Sequence, residues 1–208
     1  MRRLSFALLL LLLALVLLPA DRASAEEGFT PLFNGKDLEG WHGDPRLWSV
    51  QDGVVVGTTD EHTILPNSFL ATTKPYKNFV LKAKFKLRNG NSGIQFRSKQ
   101  HDKFVVKGYQ ADIAEKRYMG ILYEEGGRGI LSDVDPEQVK QHIKEGEWNE
   151  FVVTADGNHI TEQLNGFTTV DYTEDKPEGA TEGIIALQLH VGPKMRVEFK
   201  DVEIKELP

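Results

Sequence analysis

The stretch Gly183-Ile184-Ile185-Ala186-Leu187-Gln188-Leu189-His190-Val191 decides the fold. Successive side chains of an extended chain point to opposite faces, so Ile185, Leu187, Leu189 and Val191 share one side and Ile184, Ala186, Gln188 and His190 the other. The first side is wholly apolar. The second ends in an amide and an imidazole, which a strand buried on both faces would leave unpaired at considerable cost. The strand is therefore expected in a sheet packed behind on a core and open in front to a ligand.

The same division recurs outward from this strand. In Gly93-Ile-Gln-Phe-Arg-Ser98, Ile94 and Phe96 alternate with Gln95 and Arg97. In Gly108-Tyr-Gln-Ala-Asp-Ile113, Tyr109, Ala111 and Ile113 oppose Gln110 and Asp112. Three strands thus each offer a polar pair at i and i+2. Trp48 to Gly57 reads as a hairpin turning at Asp52-Gly53, and Phe69 to Thr72 as a short strand. From Tyr76 to Leu87, Phe79, Leu81, Ala83, Phe85 and Leu87 line one face, while Lys82, Lys84 and Lys86 form a solvated, edge-protecting face. Gly120 to Glu125 is a further strand running into the loop Gly126-Gly127-Arg128-Gly129. Trp148 to Tyr172 is a meander with turns at 156–158 and at Asn165-Gly166. Lys194 to Leu207 breaks alternation between Phe199 and Val202, which predicts a bulge near Asp201. One helix is expected over 135–144, with Asp135 as cap, Pro136 in the first turn, and Val139 and Ile143 four apart.

About a dozen strands with short turns predict an all-β fold, a two-sheet antiparallel β-sandwich with one short helix. The concave outer face of such a sandwich is where a ligand is expected. No repeat of propeller or solenoid length occurs. The chain has 208 residues, one domain by size, and no cysteine, which excludes disulfides, thiolate metal sites and cysteine nucleophiles. Met1-Arg2-Arg3, the apolar run Leu4 to Leu18, Pro19 and Ala23-Ser24-Ala25 have the zones of a secretory signal. Residues 1–25 are thus expected to be removed, leaving a single domain over 26–208, exported to a periplasmic or extracellular compartment. The apolar run is shorter than the roughly 20 residues of a spanning helix. Loss of Arg2, Arg3, Arg22 and Asp21 takes the formal net charge from −6 to −8. That balance argues against nucleic acid and against an anionic membrane as partners. Nothing in the sequence bears on oligomeric state.

The strings Phe33-Asn-Gly-Lys-Asp-Leu-Glu-Gly-Trp41, Asn91-Ser-Gly-Ile-Gln-Phe-Arg97, Gly108-Tyr-Gln-Ala-Asp112, Trp148-Asn149, Leu164-Asn-Gly166, Gly183 to His190 and Asp201-Val-Glu-Ile204 resemble, in this order, the 3-keto-disaccharide hydrolase family. The resemblance spans residues 28 to 207. It implies a concanavalin A-like jelly roll, exported by bacteria, that cleaves glycosides oxidised at carbon 3. A ketone there acidifies the proton on carbon 2, so a base could remove it and expel the glycosidic oxygen from carbon 1, after which water adds back.

If the polar pairs share one face, Gln95, Gln110 and Gln188 bind sugar hydroxyls, and Arg97, Asp112 and His190 converge with Tyr123 or Glu124. His190 or Asp112 suits the base, Glu124 or Tyr123 the acid, and Arg97 the oxyanion partner. No cofactor motif is evident. The spacing of Asp112, His190 and Glu124 neither supports nor excludes a divalent metal. Each site residue also has a structural reading: a strand histidine held by its neighbours, an Asp112 bonded to a loop, an Arg97 that neutralises Asp112, a solvated Glu124-Glu125 pair. The alternative function is a non-catalytic, lectin-like carbohydrate-binding module on the same scaffold. Trp41, Trp48 and Trp148 stand at segment starts and show no stacking platform.

Overall fold

The computed structural model describes residues 27–115 and 117–208. The expected export leader, residues 1–25, lies outside the described residues. In chain order the strands begin with β1 (Thr30–Pro31), β2 (Trp41–His42), β3 (Trp48–Gln51), β4 (Val54–Thr58), β5 (Ser68–Thr72), β6 (Phe79–Arg88), β7 (Asn91–Asp102) and β8 (Val105–Ala114). They continue with β9 (Leu122–Glu125), β10 (Gly129–Ser132), helix α1 (Pro136–Lys140), β11 (Asn149–Asp156), β12 (His159–Leu164), β13 (Phe167–Thr173), β14 (Ile184–Leu189) and β15 (Arg196–Glu206). One sheet runs β10-β9-β8-β7-β14-β5-β2, the other β13-β12-β11-β6-β15-β4-β3 with β1 on β15. This is the all-β, two-sheet antiparallel sandwich that the alternation predicts.

The two apolar faces meet between the sheets. Phe79, Leu81, Ala83 and Phe85 of β6 pack in one core with Ile94, Phe96, Ala111 and Ile113, and with Ile185, Leu187 and Leu189 of β14. Phe79 meets Phe96 edge-on across the gap, ring centroids 6.2 Å apart, and Phe85 stacks on Phe151 at 5.4 Å. β14 sits inside its sheet, between β7 and β5, with Leu187 opposite Ile94 on one side and Leu70 on the other. Its two polar-face neighbours in phase, Ala186 and Gln188, are also sealed from water, so the front of this sheet is covered.

What covers it is the outer half of the β7–β8 hairpin. The register slips between Phe96 and Lys99, with Arg97 in the left-handed region at φ 46°, and slips again between Gln100 and Asp102. Opposite this bulge, Gly108 adopts φ 146°, and a Cβ there would lie 2.4 Å from Ser98 Oγ. Both strands therefore bend at the same level, as a bulge facing a glycine permits. The bent tip folds forward onto β5: Phe69 N donates to Phe104 O at 2.9 Å. Val106 packs with Phe69, Ala71 and Ala186 in a small apolar cluster in front of the sheet. The face is thereby curled into a cup.

The bulge near Asp201 is present, as a shift between Lys200 and Glu203 with Asp201 at φ 48°. The helix is shorter than its pattern. Asp135 caps it by accepting from Glu137 N, but α1 ends at Lys140, and Asn149 Oδ1 accepts from Lys144 N to close the turns that follow. Only Val139 of α1 is buried, and one short apolar stripe supports little more than one turn.

Candidate functional site

Seven cross-strand partners form one row over the cup: Ile130, Tyr123, Gln110, Gln95, Ala186, Ala71 and His42. Partners directly opposite each other share a face. One level along, Asp112 stands opposite Gly93 and Gln188 opposite Phe69. The three glutamines expected to bind a ligand and Asp112 are thus brought together. Gln95 Nε2 donates to Gln110 Oε1 at 3.2 Å, and Gln110 Nε2 donates to Asp112 Oδ2 at 3.1 Å and to Gln188 Oε1 at 3.5 Å. Gly93 makes room for this. A Cβ at Gly93 would lie 2.5 Å from the Gln110 side chain.

The curl adds members that a flat sheet would keep apart. Gln188 Nε2 donates to Glu125 Oε2 at 3.3 Å although β8 and β7 separate their strands. Asn67, just before β5, donates to Glu125 Oε1 at 3.4 Å. Asn91 Nδ2 donates to Asp112 Oδ1 at 2.5 Å. The floor formed by Gln95, Gln110, Gln188 and Asp112 is buried, and the rim formed by Asn67, Asn91, Tyr123, Glu125 and His190 is half-buried. Gln95 Oε1 is buried in the floor without a partner among the described residues.

Asp112 is 4% exposed. Burial pushes its carboxyl up to about 7, against the pull of the Asn91 and Gln110 donors, and the charge of Glu125 adds to the rise. Tyr123 also stays protonated to higher pH, first through burial and then through the charges of Glu125 and Asp112. The cup therefore holds a carboxyl that changes charge near neutrality beside a phenol that remains a donor.

Two predicted members are elsewhere. Arg97 does not reach the cup, because the bulge turns it to the core side of the sheet. There, 1% exposed, it donates to Lys77 O at 2.8 Å, Gly157 O at 2.7 Å and Asn78 Oδ1 at 3.1 Å. It ties this sheet to the turn before β6 and the β11–β12 turn of the other sheet, and these guanidinium donors are spent away from Asp112. Glu124 is likewise out of phase. Register with β8 puts Tyr123 opposite Gln110, so Glu124 points to the other side, where its Oε2 lies 2.7 Å from Arg128 Nε. Arg128 continues to Glu174 at 2.6 Å, and Tyr109 donates its phenol proton to the same carboxylate at 2.7 Å. The Arg128 and Tyr109 donors hold the carboxyl of Glu174 down at about 2.

His190 stands one residue past β14. Its Nδ1 pairs with Val191 O at 2.6 Å, and Val191 N donates to Asn67 Oδ1 at 2.8 Å. The imidazole is a rim group and makes no hydrogen bond to the amide floor. Among the described residues no three His, Asp or Glu converge as metal ligands, and Glu124 of the set considered from sequence faces away from Asp112.

Asn67, Asn91 and Glu125 were missed by sequence reasoning. Asn91 and Glu125 are each in phase with a recognised residue, four before Gln95 and two after Tyr123, but stand in turn-rich runs that hide strand alternation. Asn67 carries no such signal. A separate cleft of about 510 Å³ opens under α1, with Phe85, Leu87, Met119, Val139 and Ile143 inside and lysines and glutamates around it. It lacks the convergent amides of the cup.

A curled antiparallel sandwich with an amide- and carboxylate-lined concave face defines a carbohydrate-related β-sandwich protein. The fold is shared with solved structures. A candidate glycosyl hydrolase from Parabacteroides distasonis is 26% identical, with a TM-score of 0.62 over 87% of this chain and 95% of that one. The carbohydrate-binding module CBM66 from Bacillus subtilis is 17% identical, with a TM-score of 0.62 over 80% and 96%. A Bacillus subtilis protein of unknown function with a galectin-like fold is 11% identical, with a TM-score of 0.64 over 86% and 94%. No curated protein matches the sequence. The family model of the 3-keto-alpha-glucoside-1,2-lyase-like domain matches residues 28–205. The chain belongs to that family.

Proposed function

We propose that this protein is an exported enzyme that cleaves 3-keto-glycosides by elimination and rehydration in the cup. The observation that carries the reading is Asp112, a carboxyl held near neutrality on a floor otherwise made of the amides of Gln95, Gln110 and Gln188. A base is most effective when its pKa lies near the working pH. Each Asp112 oxygen accepts one amide hydrogen and keeps a second lone pair for a proton. Family membership supports the substrate class. The basic, apolar and small-residue zones of residues 1–25 support export to a periplasmic or extracellular compartment.

Asp112 takes the proton from carbon 2, and the electron pair left behind spreads onto the carbon-3 oxygen. As Asp112 becomes neutral, Asn91 Nδ2 and Gln110 Nε2 lose their anionic acceptor and become available to the developing oxyanion. The pair then closes a double bond between carbons 1 and 2 while the bond from carbon 1 to the leaving oxygen breaks. Tyr123 gives that oxygen its proton. Water adds to carbon 1, its spare proton restores Tyr123, and the proton on Asp112 returns to carbon 2. No electrons are gained or lost. Gln95, Gln188 and Glu125 bind hydroxyls, and His190 bounds the rim.

Deuterium exchange separates an enzyme from a lectin on this face. With methyl 3-keto-α-glucoside in heavy water, the wild type should exchange the carbon-2 proton and release methanol. Binding without exchange would identify a lectin-like module instead.

A further inference from the structure

Among the described residues only three large hydrophobic side chains are prominently exposed, Leu65, Tyr118 and Ile130. Two of these flank the cup. Ile130, 42% exposed, is the cross-strand partner of Tyr123 and extends its row to the β10 edge. Tyr118, 48% exposed, lies on the turn that follows Asp112, between β8 and β9. That turn is anchored at the catalytic end of the cup, since Gly120 N donates to Asp112 O at 3.0 Å and Ile121 N to Tyr118 O at 3.3 Å. The phenol of Tyr118 is near enough to contribute to the raised pKa of Tyr123.

Tyr118 is also held in place. The Arg117 guanidinium lies 5.8 Å from its ring centroid and is itself fixed by two hydrogen bonds to Asp133, at 2.8 and 2.5 Å, just past β10. An exposed aromatic pinned by a cation on a tied loop loses little freedom when it meets a ligand. The opposite end of the cup is closed by the β7–β8 tip on β5. A ligand whose reacting ring sits over Asp112 therefore continues outward past Tyr123 toward Tyr118 and Ile130.

We propose that Tyr118, Tyr123 and Ile130 form a stacking subsite for a second sugar ring, the one on the leaving side of the glycosidic bond. The inference rests on the reading of the cup as a 3-keto-glycoside site. The apolar face of a pyranose covers a tyrosine ring, and its hydroxyls stay solvated at this open edge. Ile130 supplies an apolar border next to Tyr123.

The test compares methyl 3-keto-α-glucoside with a 3-keto disaccharide of the same linkage, on wild type, Tyr118→Ala and Tyr118→Phe. Wild type should favour the disaccharide by about tenfold in kcat/KM, the size of a stacking contact near 1.4 kcal/mol. Tyr118→Ala should remove that preference while leaving the methyl glycoside within about twofold, and Tyr118→Phe should keep it. Thermal melting confirms that the variants are folded. If neither compound is turned over, the catalytic reading fails by itself, and the same ratio is read from calorimetric Kd values. A wild type that does not discriminate, including one that binds neither compound, or a Tyr118→Ala protein with the wild-type ratio, overturns the subsite.

Discussion

Asp112 and Glu162 are both carboxyls sealed from water, and they differ in what surrounds them. Asp112 has two amide donors, whereas Glu162, on β12 and 0% exposed, has no hydrogen-bond partner on either oxygen among the described residues. Burial raises the Glu162 pKa well above its ordinary value, and the charge of Asp112 adds to this. A group whose folded pKa is raised keeps its full stability below its unfolded pKa and loses it as pH rises through the folded one. Glu162 is therefore a neutral acid in the folded protein and a growing liability in base. Urea unfolding should show that Glu162→Gln matches wild type within about 1 kcal/mol at pH 4 and is the more stable of the two at pH 9. Parallel stability curves would show that Glu162 ionises without cost.

At the scale of elements, the bent β7–β8 hairpin separates what alternation revealed from what it concealed. Gln95, Gln110, Asp112 and Gln188 were legible because their strands are regular and the core side of each is uniformly apolar. Arg97 was not, because a bulge inserts a residue and moves every later side chain to the other face. The break leaves a faint mark: the apolar series Ile94, Phe96 is followed by Ser98 where a core residue would continue it. Glu124 failed for a related reason, since a four-residue strand takes its phase from its neighbour β8 rather than from its own sequence. The contacts of Glu125 with Gln188 and Asn67 depend on the curl, which no local pattern encodes. Arg97→Met tests the new assignment. It leaves Lys77 O, Gly157 O and Asn78 Oδ1 without their guanidinium donor and should cost about 3–5 kcal/mol in urea unfolding. Activity per folded molecule should stay within about threefold. A large loss of kcat with unchanged stability would return Arg97 to the chemistry.

For the whole molecule, two sheets share the labour. The sheet ending in β13 and β3 contributes half of the core and a lysine-bearing outer face, where Lys86 and Lys200 lie over Trp148 and Lys82 over Phe29. The other sheet carries the candidate site, its back packed on the core and its front covered by the bent β7–β8 tip. An acidic chain with a formal net charge of −6 also suits a neutral, hydroxyl-rich ligand better than a polyanion. The class of fold followed from alternation alone, but the cup followed from three-dimensional bending at Arg97 and Gly108.

The central claim is that Asp112 is the base of a 3-keto-glycoside site. Its most direct test is the pH dependence of sugar release from a 3-keto-glucoside by wild type and Asp112→Asn. The wild-type kcat/KM should rise with pH and level off above about 7, as the carboxyl loses its proton. Asp112→Asn should lower the plateau by about 10²–10⁴-fold while remaining folded, and it should be the more stable protein above pH 7, because no buried charge then forms. A folded Asp112→Asn protein with the wild-type rate and the same rising limb would contradict the account.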